Sequence, residues 1–121
     1  MNSDSFDNTA VGGGAMTANT TGDHNTAVGD NALANNTTGS SNTALGYRAR
    51  MSAANQINST AIGARAEVAG SNNLVLGSVI GVNGATATAN AGIGTTLPLQ
   101  RLEVVGNVFQ DKSSKNHISS V

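Results

Sequence analysis

A five-residue word with apolar residues at fixed places recurs along the chain. It reads NTAVG at Asn8 to Gly12, NTAVG at Asn25 to Gly29, NTALG at Asn42 to Gly46, STAIG at Ser59 to Gly63 and NLVLG at Asn73 to Gly77. A weaker sixth copy, NAGIG, spans Asn90 to Gly94. The closing glycines are spaced by 17, 17, 17, 14 and 17 residues. Such a period marks a repeat architecture, in which each copy is one structural unit. A unit this short does not hold a pair of helices; it suits two short strands and two turns, one coil of a parallel β-solenoid. The linking segments, such as TANTTGDH and ANNTTGSS, consist largely of turn-forming residues. Six coils stacked at the spacing of hydrogen-bonded strands would make a rod of roughly 25 Å.

The aligned columns predict which faces are buried. Two residues before each glycine stand Ala10, Ala27, Ala44, Ala61, Val75 and Gly92. One before it stand Val11, Val28, Leu45, Ile62, Leu76 and Ile93. Neighbouring strand residues point to opposite sides, so both sides of the first strand are apolar. One side fills the roll. The other is an apolar ladder that a single chain leaves exposed, the usual mark of an interface. Three residues after the glycine, Ala15, Ala32, Ala49, Ala66, Ile80 and Leu97 form a further apolar column. Its neighbours are mixed: Gly14, Asn31, Arg48, Arg65 and Val79 before it, Met16, Leu33, Arg50 and Glu67 after it. The second sheet is therefore expected to bury one face, with Arg50 and Glu67 adjacent on the wet one. The pattern calls for association of several chains and does not set their number.

Composition sharpens this picture. The chain has 121 residues, of which 38% are hydrophobic, 2% aromatic and 11% charged. Much of the hydrophobic share is alanine, which buries little area. The net charge of -1 argues against a nucleic-acid partner, which would call for a basic face. No apolar run approaches the ~20 residues of a membrane span, so no membrane insertion is expected in this segment. The opening MNSDSFDNTA has no basic region followed by an apolar one, and no signal peptide is expected there. There are no cysteines.

STAIGARAEVAGSNNLVLG (Ser59 to Gly77) resembles the 14-residue head repeat of trimeric autotransporter adhesins. NTAVGDNALANNTTGSSNTALG (Asn25 to Gly46) resembles the longer variant of that repeat, common in phage tail fibres and bacterial surface fibres. The likeness covers about Asn8 to Gly94. It implies an all-β fold, a left-handed parallel β-roll of about six coils, with three rolls packed around a shared axis. AGIGTTLPLQRLEVVGNV (Ala91 to Val108) resembles the neck segment that precedes tip or chaperone domains in such fibres. The expected organisation is thus a β-roll over residues 1–94 and a neck and C-terminal segment over 95–121. Pro98, lacking an N–H, is expected to end the ladder, and the run Leu102 to Phe109 to form a strand. The tail QDKSSKNHISSV does not resemble the chaperone, so a tip or chaperone domain is expected downstream. The resemblance implies a homotrimer outside the cell, on a bacterial surface or a virion tail, with a host-cell glycan or surface protein as partner. Its role would be structural and adhesive, or that of a passive shaft whose recognition lies wholly in a distal tip.

Catalysis finds little material. His24 and His117 have no nucleophile nearby in sequence, and His24 falls in a turn. Asp4, Asp7, Asp23 and Asp30 also fall near turns, where capping is the expected role; no calcium-loop pattern surrounds them. The glycines Gly12 to Gly14 and Gly92 to Gly94 match neither a dinucleotide fingerprint nor a P-loop. No enzyme activity, metal or cofactor is expected. Arg48, Arg50 and Arg65 are the candidate outer-face contacts for an acidic ligand. Asn19-Thr20-Thr21 and Asn36-Thr37-Thr38 match glycosylation acceptors. Thr9, Thr26, Thr43 and Thr60 form a column that raises a distant alternative, an ice-binding solenoid, although it breaks at Leu74 and Ala91.

Overall fold

The computed structural model describes residues 5–106. Asp4, His117, the tail and the end of the expected strand at Val108 and Phe109 lie outside the described residues. The chain divides into two compact units, Met1–Ala89 and Asn90–Val121. Among the described residues there is no helix.

The first unit is a parallel β-solenoid of about four turns. Strands β1 (Thr9–Val11), β2 (Thr26–Val28), β3 (Thr43–Leu45), β5 (Thr60–Ile62) and β7 (Leu74–Leu76) form one parallel sheet in that order. The register follows the repeat: Ala10 pairs with Ala27, Ala27 with Ala44, Ala44 with Ala61 and Ala61 with Val75. A second sheet pairs β4 (Arg50–Met51) with β6 (Glu67–Val68).

The interior is narrow because alanine lines both walls. Ala27, Ala44 and Ala61 from the first sheet and Ala32, Ala49 and Ala66 from the opposite side are each 0% exposed. Met16, Leu33, Met51 and Val68 fill the remaining space. The two halves of the roll solve this filling differently. In the first two coils the fourth residue after the glycine, Met16 or Leu33, turns inward in the left-handed region (φ 52° and 50°). In the next two that position holds Arg50 and Glu67, which stay extended; the following residue, Met51 or Val68, takes the interior site. A charged residue at the fourth place thus shifts the inward side chain by one.

A buried polar ladder stitches successive coils. Asn8 Oδ1 accepts from Asn25 N (2.8 Å), Asn25 Oδ1 from Asn42 N (2.9 Å), and Asn42 Oδ1 from Ser59 N (3.1 Å). The amide nitrogens of Asn25 and Asn42 donate to the carbonyls of Gly39 and Gln56. Asn25 and Asn42 are fully buried, so each satisfies backbone groups that water cannot reach. Asn42→Ala leaves the Ser59 N–H and the Gln56 carbonyl unpaired and is expected to cost roughly 2–4 kcal/mol in urea unfolding. Asn73, exposed in the same column, should lose under about 1 kcal/mol on the same change.

The expected six coils are about four. Ile80 and Leu97, assigned by spacing to the buried alanine column, are 62% and 73% exposed. After β7 the chain folds on itself: Ala89 N donates to Ser78 O, and Gly81 N to Ala85 O, both at 2.9 Å. The sixth copy lies in the second unit. There β8 (Ala91–Ile93) pairs in parallel with β9 (Leu102–Val104), Ala91 facing Leu102 and Ile93 facing Val104. Its alanine-column position is Gly92, which has no side chain to fill a roll. Pro98 lies in the connection, and its carbonyl accepts from Asn90 Nδ2 at 3.0 Å.

Candidate functional site

The first sheet presents two columns on its outer side. Thr9, Thr26, Thr43 and Thr60, then Leu74, form one; Val11, Val28, Leu45, Ile62 and Leu76 form the other. Both follow from strand alternation once the alanines face inward. The apolar column is 56%, 39%, 37%, 38% and 55% exposed from bottom to top. So of the residues read from sequence as core, Ala27, Ala44 and Ala61 line the roll, Val75 packs partly against it, and the Val/Leu/Ile column stands outside. Ile93 is exposed in the second unit. The outer face is regular because its backbone is regular. Thr26 N donates to Asn42 O, Thr43 N to Ser59 O, Gly46 N to Val28 O and Gly63 N to Leu45 O, all at 2.8 Å.

The three arginines separate into different roles. Arg50 Nε donates to Glu67 Oε2 at 2.6 Å, and the Glu67 side chain is only 14% exposed. Arg65 lies over the Tyr47 ring, 5.3 Å from its centre, and its Nη1 donates to Asn83 O at 3.3 Å. Arg48 lies over the same ring at 5.4 Å and makes no ion pair among the described residues. Arg48 and Arg50, without Arg65, line a concavity of about 170 Å³ with Asn31, Ala34, Asn35 and Asn83. Asn83 was not legible as a participant: the folded-back segment brings it 35 residues along the chain to donate to Arg48 O at 2.6 Å.

The other candidates resolve into turn chemistry. His24 and Asp7 both occupy left-handed corners (φ 57° and 53°), and their side chains approach to 3.5 Å in the open. Asp23 Oδ1 accepts from Phe6 N, and Asp30 Oδ1 from Asn31 Nδ2, both at 2.7 Å. Among the described residues no group of three or more His, Cys, Asp or Glu side chains is placed to hold a metal ion. Asn19 and Asn36, the glycosylation matches, are buried, with Asn36 Nδ2 donating to Asn19 Oδ1 at 2.8 Å. The folded roll shields both from modification.

Comparison with protein-family models, with curated proteins and with solved structures gave no match.

Proposed function

We propose that this chain is a segment of a homotrimeric fibre, structural and adhesive, in which three left-handed rolls pack their first sheets around a common axis and present a surface for attachment outside the cell. The observation that carries the reading is the five-rung column Val11, Val28, Leu45, Ile62 and Leu76, left part-exposed on an otherwise ordered sheet. A contiguous apolar ladder of this kind marks an association surface. Its natural occupant is another copy of the chain, because a partner must match a rung at every turn and a second copy has the same period. Burying what remains exposed contributes about 1 kcal/mol per rung, on the scale of ~1.5–3 kcal/mol for a whole aliphatic side chain. The number three rests on the resemblance of the repeat words to trimeric fibre heads. In this reading the second unit is the start of a neck, and its exposed Ile93, Leu97, Leu99 and Leu102 need partners for the same reason.

Native mass spectrometry at low micromolar protein concentration should give a complex of three chains. Larger assemblies without a stop at three, or single chains alone, contradict the proposal. The threonine column beside the ladder gives ice as a rival occupant, since Thr9, Thr26, Thr43 and Thr60 are in register. Thermal hysteresis in a freezing assay would favour that rival; the fibre reading expects none.

A further inference from the structure

We infer that the concavity lined by Asn31, Ala34, Asn35, Arg48, Arg50 and Asn83 is a binding site for a single carboxylate-bearing sugar. The inference deepens the adhesive half of the proposed function and rests on it for its biological use. The site lies within one roll, on residues outside the strands that carry the apolar ladder.

Several features meet there. Two arginines and three asparagines line one small space. Arg50 is already held by Glu67, and Asp30 is engaged with Asn31. Arg48 makes no ion pair among the described residues; its guanidinium lies over the Tyr47 ring, which leaves the N–H edge available to a planar carboxylate. Asn31 and Asn83 use their amide nitrogens within the chain, on Asp30 Oδ1 and Arg48 O, which leaves their amide oxygens as acceptors for ligand hydroxyls and favours a sugar over a bare anion. The volume of about 170 Å³ is below the ~300–1,000 Å³ of common small-molecule sites and suits one ring.

The repeat itself points the same way. The second place after the glycine is left-handed in each of the first four coils: Gly14, Asn31, Arg48 and Arg65, with φ between 55° and 69°. Glycine and asparagine tolerate that conformation best, and the first two coils use them. The third and fourth coils place arginine there instead. Both lie over the Tyr47 ring, but Arg65 also donates to Asn83 O, while Arg48 makes no side-chain hydrogen bond among the described residues and lines the concavity. The folded-back segment then closes the rim, with Asn83 Nδ2 on Arg48 O.

The test is a titration of the whole chain with D-glucuronate in physiological salt, followed by nitrogen–proton NMR of the side-chain amides. The proposal expects saturable shifts at Asn31, Asn35 and Asn83, with neutral D-glucose giving none and acetate binding more weakly. Arg48→Asn keeps a residue suited to the left-handed corner and should weaken glucuronate binding by about tenfold or more. Asn83→Ala, which leaves every arginine in place, should weaken it too. No saturable shift with glucuronate, equal shifts with inorganic phosphate or acetate, or undiminished binding by Arg48→Asn would overturn the assignment. The mass of the same sample by light scattering reads chain association independently, so loss of binding and loss of assembly are told apart.

Discussion

Leu45→Asp gives a folded chain that no longer assembles. Leu45 is the central rung of the outer column and is 37% exposed in the single roll, so a carboxylate there stays hydrated as long as the chain is alone. Its neighbours Val28 and Ile62 pair with it in register, and in a trimer three such charges would converge on a dry axis. Burying unpaired carboxylates costs several kcal/mol each, more than the gain from the remaining rungs at about 1 kcal/mol apiece. The expected result is a single-chain mass with an unchanged β-sheet circular dichroism spectrum. The control is Leu45→Ile, which keeps the ladder apolar and should keep the wild-type mass. A variant that kept the wild-type mass with aspartate at this place would mean that the column lies outside the interface.

Gly46→Ala is expected to destabilise the roll by about 3 kcal/mol or more, combining overpacking with backbone strain. A Cβ at this position would stand 2.7 Å from the carbonyl carbon and 2.8 Å from the oxygen of Gly63 in the next coil. Backbone on the neighbouring rung would have to move, and that rung is tied to the one above. The residue also sits at φ +129°, where side chains are strained. For a domain of this size the melting temperature should fall by roughly 10–25 °C. Gly81→Ala separates the two causes. It too has positive φ, at +81°, but nothing lies within 4 Å of its Cβ, so only the conformational cost of ~1–2 kcal/mol applies. Equal losses at the two sites would remove the close-approach argument.

Much of the architecture was legible in the sequence because the repeat words are register marks. Matching Ala44 to Ala61 by counting from the glycines is the pairing the sheet adopts. What counting does not supply is a sign. A period of two says that Ala44 and Leu45 face opposite ways, and both are apolar, so either could have been inside. Space decides: the roll is too narrow for leucine on that wall and takes alanine from both sides. The same limit applies at Met16 and Leu33. They share a column with Arg50 and Glu67 yet turn inward through left-handed backbone, a local conformation that spacing does not encode. The stack also ends sooner than the repeats do, since Gly92 and the outward Ile80 do not continue the interior columns. The arginines looked like one patch because the repeat sets Arg48 and Arg65 in one column and Arg50 two places further on. Glu67 takes Arg50, Tyr47 draws Arg48 and Arg65 to one ring, and Asn83, which holds Arg65, arrives through a fold-back with no signature of its own.

In the proposed trimer one chain leaves an apolar ladder for two others to cover. The direct measurement is the solution mass of the wild-type chain by light scattering after size exclusion. One chain weighs 12.0 kDa, and the proposed trimer should weigh three times that, about 36 kDa. A mass near 12 kDa at micromolar concentration would contradict it, leaving the outer column of Val11, Val28, Leu45, Ile62 and Leu76 without the partners proposed for it.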